Sequence, residues 1–112
     1  MGVQINRITD EVTRDVQSVL GGRLRNIILY GSYARGDFDN ESDVDIMVLA
    51  DLPSGSESAY RKSISRIAGR IGLEHDVMVS ISLKNKEFFE SRTDVLPFYK
   101  NVLNEGVALY GD

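Results

Sequence analysis

The chain has 112 residues, of which 42% are hydrophobic and 27% charged, and this predicts one globular domain spanning residues 1–112. Its net charge of −4 argues against broad nucleic-acid binding, which needs Lys and Arg to neutralise phosphates, although a metal could still help an acidic protein to bind a small triphosphate. The absence of cysteine excludes a disulfide framework, a thiol nucleophile and a Cys-ligated zinc site, and the reducing cytoplasm is therefore the expected location. The polar N-terminus and short apolar runs predict neither a signal peptide nor a membrane span.

The first half of the chain predicts a helix, two strands and a short helical turn. Apolar residues recur at helical spacing from Ile5 to Leu20, and Gly21-Gly22 ends this helix. Short apolar runs bounded by glycine or polar residues predict buried strands. After the first helix, the predicted elements in chain order are a strand at Asn26–Tyr30, a helical turn at Ser32–Arg35 between Gly31 and Gly36, a polar loop at Asp37–Ser42 and a strand at Val44–Ala50.

The second half predicts further helices that alternate with strands. A loop at Pro53–Ser56 leads into an amphipathic helix from Glu57 to Ile71, which Gly72 is expected to cap. The remaining predicted elements are a strand at Asp76–Ser82, helices at Lys84–Glu90 and Pro97–Glu105, and a short strand or tail at Val107–Tyr110. This order predicts an α/β (α+β) fold with a short mixed sheet flanked by helices.

Two carboxylates at the start of the second predicted strand are the first candidate site residues. Asp43 and Asp45 are two residues apart, and side chains at this spacing point to the same face of a strand. Two such carboxylates repel each other unless a cation lies between them. Because Mg²⁺ binds one or two carboxylates together with phosphate oxygens and water, the pair predicts a seat for Mg²⁺ and a triphosphate.

Three further residues could complete this site. Asp76 opens the third predicted strand, and its carboxylate would lie near the pair if that strand is the neighbour of the second. Two metal ions held by three carboxylates could then activate a hydroxyl and hold phosphates. Gly31-Ser32 stands at a strand-to-helix turn, where free backbone N–H groups and a hydroxyl can bind phosphate oxygens. Each residue also has a structural interpretation: a surface charge for Asp76, a turn glycine for Gly31 and an N-cap for Ser32.

The combination of Gly31-Ser32, ten residues, then Asp43-x-Asp45, with Ala34-Arg35-Gly36 after the Gly-Ser pair, resembles the DNA polymerase beta-type nucleotidyltransferase superfamily. The chain is most similar to its minimal nucleotidyltransferase (MNT) branch. The resemblance covers nearly the whole chain, including the ending from Leu96 to Gly111. It implies the nucleotidyltransferase fold, and transfer of a nucleoside monophosphate from a nucleoside triphosphate to an acceptor hydroxyl with Mg²⁺.

The resemblance also implies roles for the site residues. Asp43 and Asp45 match the family's metal ligands, Asp76 matches its third carboxylate, and Gly31 and Ser32 match its phosphate-binding turn. Arg35 matches a family arginine that could contact phosphate. An ion pair with Asp37 or Asp39 is an equal alternative for Arg35. The residues themselves leave the choice among ATP and the other nucleoside triphosphates open.

The acceptor is inferred from the same branch, whose members pair with small HEPN-domain proteins as antitoxins, some of them placing AMP on a toxin tyrosine. Because the chain ends at Asp112, directly after the core, we expect another molecule to present the acceptor. The leading hypothesis is therefore AMP transfer from ATP to a tyrosine of a HEPN toxin. The alternatives are a non-catalytic antitoxin that acts by binding, and a small-molecule nucleotidyltransferase of the antibiotic-modifying type that acts as a homo-oligomer. The acidic balance disfavours nucleic-acid polymerisation.

Overall fold

The computed structural model describes residues 3–53 and 55–111, which form a four-stranded mixed sheet with helices on both faces. This confirms the predicted fold class. Ser54, within the predicted loop at Pro53–Ser56, lies outside the described residues. The elements are α1 (Val3–Leu20), a 3₁₀ turn (Gly21–Arg23), β1 (Leu24–Tyr30), α2 (Ser32–Arg35), β2 (Val44–Ala50), α3 (Glu57–His75), β3 (Val79–Asn85), α4 (Lys86–Ser91), α5 (Pro97–Glu105) and β4 (Val107–Tyr110).

The strand order is β3-β2-β1-β4, with β1 antiparallel to both β2 and β4 and with β2 parallel to β3. The parallel pair is joined by α3, as a parallel connection requires a crossover. In the β1–β2 pair, Tyr30 is opposite Asp45. The C-terminal end of β1, which leads into Gly31, therefore lies beside the N-terminal end of β2.

The larger core lies between the sheet and helices α1 and α3. The two helices contribute apolar residues at helical spacing, and the strands contribute alternate residues, since strand side chains alternate between faces. This core includes Ile5, Ile8, Val12, Val16, Leu20, Ile27, Leu29, Val44, Ile46, Val48, Ile64, Ile67 and Ile71. The periodicity that predicted α1 and α3 thus corresponds to buried faces.

The smaller core lies on the opposite face of the sheet, beneath α4 and α5. It contains Ile28, Met47, Leu49, Phe89, Tyr99 and Val102. Asp45 alternates with the residues of the larger core and is two positions from Met47, so it points to this second face. The carboxylate of Asp45 therefore lies where the smaller core ends.

Two predicted boundaries around α3 are wrong. The helix does not end at Gly72 but continues to His75, and Asp76 follows it in the left-handed conformation with φ 53°. The N–H of Val77 donates to the carbonyl of Gly72, so the turn that ends the helix comes one turn later than predicted. Gly72 is needed for packing instead, since a Cβ there would lie 2.7 Å from the Val77 carbonyl oxygen.

The same shift changes the third strand, which runs from Val79 to Asn85 rather than from Asp76 to Ser82. Within this segment, alternate residues face one side, and Val77, Val79 and Ile81 all pack against the larger core. The backbone of residues 76–78 is occupied by the turn after α3, and this delays the strand.

The depth of burial along α3 gives a test of the fold. Ile71 is 0% exposed and Leu73, two residues away on the same helix, is 88% exposed. We expect Ile71→Ala to lower the free energy of unfolding by about 2–5 kcal/mol through lost burial and cavity formation. Leu73→Ala, the matched control, should change it by less than about 0.5 kcal/mol. Urea unfolding measures both values, and equal effects would contradict the assigned packing of α3.

Candidate active site

The turn after β1 contains Gly31 and Ser32, the two residues predicted to bind phosphate. Gly31 has φ 78° and ψ −157°, a conformation that favours glycine, and α2 starts directly after it. The first hydrogen bonds of the turn run from the N–H groups of Ala34 and Arg35 to the Gly31 carbonyl. The N–H groups of Ser32 and Tyr33 precede these donors, as the first N–H groups of a helix do, and can serve an anion.

Gly31 packs directly against one of the predicted metal ligands. A Cβ built on Gly31 would lie 2.5 Å from Asp45 Oδ2 and 3.4 Å from Asp45 Cβ and Cγ. Real Cβ atoms do not approach oxygen so closely, so any side chain would displace the carboxylate. This close approach is a second reason why position 31 favours glycine, besides the backbone conformation of the turn.

The carboxylates of Asp43 and Asp45 act on each other electrostatically. Burial raises the pKa of Asp45, the negative charge of Asp43 raises this pKa further, and the positive charge of Arg35 lowers it. A nearby positive charge would stabilise the ionised carboxylate of Asp45. The predicted pair thus comes together in the structure, and its oxygen atoms suit a hard divalent cation.

A cleft of about 350 Å³ connects the turn, the carboxylate and helix α5. Its volume falls within the usual range of small-molecule sites, about 300–1,000 Å³. Strands β1 and β2 form the floor of the cleft. The turn at Gly31 forms one wall and α5 forms the other. The lining residues are Tyr30, Gly31, Ser32, Arg35, Asp45, Phe98, Asn101, Val102 and Glu105.

Arg35 lies at the mouth of this cleft between two acids. Its Nε donates to Asp37 Oδ2 at 3.2 Å and its Nη1 to Glu105 Oε2 at 3.3 Å. Hydrogen bonds to Asp37 and Glu105 raise the pKa of the arginine. The predicted alternative of an ion pair with Asp37 is therefore observed, and Glu105 is a second partner that the sequence did not indicate.

Two predicted site residues do not line this cleft: Asp43, whose charge nevertheless raises the pKa of Asp45, and Asp76. The structure places Asp76 differently from its prediction. Its expected position at the start of a strand is wrong, because it is the left-handed residue that caps α3. It lines a separate depression of about 270 Å³ together with Tyr33, Phe38 and Asn40. The strand position opposite Asp45 is occupied by Ser80, which has no carboxylate. The role of Asp76 as a metal ligand stays a prediction.

Another group of possible metal ligands lies on helices α1 and α3. Single ligand atoms of Glu11, Glu74 and His75 lie within 4.8 Å of one another. His75 Nε2 is already 3.0 Å from Glu11 Oε2, so this pair joins the two helices. None of the three lines the cleft that contains Asp45, and we do not assign them to the site.

Several cleft residues were missed from the sequence. Phe98, Asn101 and Glu105 are spaced at i, i+3 and i+7, which places them on one face of α5. A helix face that mixes an aromatic, an amide and an acid is unsuited to a core, and this is the signal that could have indicated a cleft wall. Tyr30 both packs against the smaller core and lines the cleft.

The electrostatics of Asp45 give a pH-dependent prediction. Because its pKa is raised in the folded chain, its negative charge is less favourable there than in the unfolded chain. The charge therefore lowers stability at neutral pH, and this effect disappears as the pH falls through the raised pKa. We expect Asp45→Asn to raise the Tm modestly at pH 7 without added metal, with a smaller rise in acid.

Calorimetry at several pH values measures this difference. Asp94→Asn, at an exposed position outside the cleft, removes the same charge and is the matched control. The control should not alter the Tm at either pH. A Tm for Asp45→Asn that is lower than that of the wild type at pH 7 would contradict the assigned environment.

The chain matches known proteins over nearly its whole length. The model of the nucleotidyltransferase domain family matches residues 7–109. Two proteins of Methanocaldococcus jannaschii, each named "Putative protein adenylyltransferase", are similar to it. One is 36% identical over 98 residues, covering 87% of this chain and 96% of the relative. The other is 33% identical over 100 residues, covering 89% and 92%.

Solved structures share the fold at lower identity. A chain of a toxin–antitoxin complex with AMP-PNP matches with a TM-score of 0.63 and 20% identity, over 93% of this chain and 73% of its own. A chain from a complex of tri-AMPylated Shewanella oneidensis HEPN toxin with MNT antitoxin matches with a TM-score of 0.57 and 18% identity, over 98% and 74%. These likenesses confirm the predicted fold, and the family model and the two relatives confirm the resemblance seen in the sequence. The chain belongs to the nucleotidyltransferase domain family.

Proposed function

We propose that this protein transfers AMP from ATP to a tyrosine hydroxyl of a HEPN-domain toxin and thereby neutralises the toxin. The choice of a protein acceptor is supported by the names of the two Methanocaldococcus jannaschii relatives. The choice of a HEPN toxin is supported by the AMPylated toxin in the complex from Shewanella oneidensis. A tyrosine as the acceptor follows from the resemblance to the MNT branch.

The observation that carries the proposal is the contact between the phosphate-binding turn and the carboxylate pair. Gly31 lies against Asp45, and both line one cleft with Ser32 and Arg35. A triphosphate needs anion-binding groups and a metal within a few ångströms of each other. We assign Ser32 and the N–H groups of the turn to the phosphates.

The carboxylate pair suits Mg²⁺. Asp43 and Asp45 supply hard oxygen ligands. Burial, and after it the charge of Asp43, raises the pKa of Asp45, and a bound cation would relieve the repulsion between the two carboxylates. When bound, Mg²⁺ would neutralise phosphate charge and orient the reacting groups. We assign Asp43 and Asp45 as its ligands, and the role of Asp76 as a third ligand stays a prediction.

In the proposed reaction the tyrosine oxygen forms a bond to the α-phosphorus of ATP. The bond from the α-phosphorus to the oxygen that bridges it to the β-phosphorus breaks, and pyrophosphate leaves with that electron pair. The proton of the tyrosine hydroxyl is released to water. The turn at Gly31 contributes by holding the triphosphate, and Arg35 by balancing the charge of the leaving pyrophosphate.

The first test uses intact mass spectrometry of a HEPN-domain protein encoded beside this chain, incubated with the protein and Mg-ATP. We expect the mass to increase by one or more AMP units. Asp43→Asn/Asp45→Asn should slow the transfer more than about 100-fold, because even the outer-shell partners of metal ligands contribute about 10- to 100-fold. Asp94→Asn is the control and should transfer AMP normally.

If the double variant still neutralises the toxin without transferring AMP, the protein acts by binding alone. If the wild type modifies a small hydroxyl compound and not the HEPN protein, the acceptor is a small molecule. Either outcome would contradict the proposal while preserving the family assignment.

The ion pair of Arg35 predicts a gain of affinity. Glu105 competes with the triphosphate for the guanidinium, so Glu105→Gln should tighten ATP binding. Because exposed ion pairs contribute about 0–1 kcal/mol, the expected gain is up to about fivefold. Isothermal titration with Mg-ATP measures it.

Two controls separate the release of Arg35 from a general change in charge. Glu87→Gln removes the same charge from an exposed position on α4 and should leave the affinity unchanged. In an Arg35→Ala background, Glu105→Gln should give a smaller gain. An equal gain in both backgrounds would show that Glu105 does not act through Arg35.

A further inference from the structure

The wall of the cleft formed by α5 differs chemically from the opposite wall. The side near Gly31, Arg35 and Asp45 carries the charges and N–H groups that suit phosphates and metal. The α5 side presents Phe98 and Asn101 and, one turn later, Glu105, which pairs with Arg35. The polarity of the cleft therefore falls from the end near Arg35 and Glu105 to the end near Phe98, as the polarity of a nucleotide falls from its triphosphate to its base.

Phe98 is placed to receive a flat ring. Its ring centroid is 5.5 Å from that of Tyr30, with the planes at 70°, and 5.8 Å from that of Tyr99. These neighbours hold the ring in position, yet 48% of the residue is exposed. A held, half-exposed aromatic ring in a cleft can stack on a base, because every base has a π-face.

Asn101 lies one helical turn after Phe98 and on the same face of α5. It is exposed, and its amide offers both hydrogen-bond donors and an acceptor. An asparagine amide can pair with adenine through two hydrogen bonds, donating to a ring nitrogen and accepting from the exocyclic amine. Its place in the cleft thus suits the edge of a base whose face lies on Phe98.

We propose that Phe98 and Asn101 form the base-binding part of the nucleotide site, with Phe98 stacking on adenine and Asn101 pairing with its edge. This inference rests on the proposed function, since it concerns the same nucleotide. The inference assigns the choice among nucleoside triphosphates to Asn101. The motif from Gly31 to Asp45 contains no residue assigned to the base. The triphosphate then extends from α5 toward Ser32 and Asp45.

The test compares two probes, Mg-ATP and inorganic tripolyphosphate with Mg²⁺, by isothermal titration. Phe98→Ala should weaken ATP binding about 5- to 100-fold, as loss of base stacking does, and should not change tripolyphosphate binding. Phe98→Tyr should retain most of the affinity. Phe88→Ala is the matched control, because Phe88 is 43% exposed on α4 and lies outside the cleft.

Asn101 is tested by specificity. Asn101→Ala should reduce the preference for ATP over GTP and CTP, while its affinity for tripolyphosphate stays unchanged. Circular dichroism establishes that each variant is folded. Wild-type ATP affinity in Phe98→Ala, or equal loss of ATP and tripolyphosphate binding, would overturn the proposal.

The outcomes also separate this inference from the proposed function. If AMP is transferred but Phe98→Ala binds ATP normally, the base lies elsewhere and only the inference fails. If Phe98→Ala weakens ATP binding but no AMP reaches the HEPN protein, the base site stands and the proposed acceptor fails. An effect of Phe98→Ala on the KM for the acceptor, with no effect on ATP affinity, would assign the ring to the acceptor and overturn the inference.

Discussion

The close packing of Gly31 against the carboxylate of Asp45 constrains the rest of the site. A Cβ on Gly31 would lie 2.5 Å from Asp45 Oδ2, and the positive φ of Gly31 disfavours other residues independently. The contact exists because Tyr30 pairs with Asp45 across the antiparallel strands β1 and β2. Sheet hydrogen bonds therefore fix the position of the turn at Gly31 relative to the carboxylate of Asp45.

This arrangement places a charge at the border of the apolar interior. Alternation along β2 directs Val44, Ile46 and Val48 into the larger core and directs Asp45 to the other face, ahead of Met47. The partial burial and the nearby Asp43 raise the pKa of Asp45. The charged form of Asp45 therefore lowers the stability of the folded chain, and the large core under α1 and α3 offsets this cost.

Local patterns predicted most of the fold and half of the site. Strand β2 and helix α5 were predicted to the residue, because a polar residue flanks each end of β2 and because a proline and a glycine mark the ends of α5. Asp76 was misplaced because its left-handed conformation, which delays β3, results from how α3 ends and not from a local apolar pattern. Glu105 and Phe98 were missed because their role depends on how α5 packs across the sheet, and spacing within one helix does not reveal what that helix faces.

The two walls of the cleft are formed by segments that are far apart in the sequence. The residues from Gly31 to Asp45 form one continuous stretch of 15 residues, whereas Phe98 follows Asp45 by more than fifty residues. On the proposed function, a change in the last third of the chain can therefore alter which nucleotide fits, without disturbing the turn and the carboxylates. In a lineage of duplicated genes, the stretch from Gly31 to Asp45 could stay fixed while α5 diverged, so that related proteins would keep one chemistry and differ in the nucleotide that they prefer.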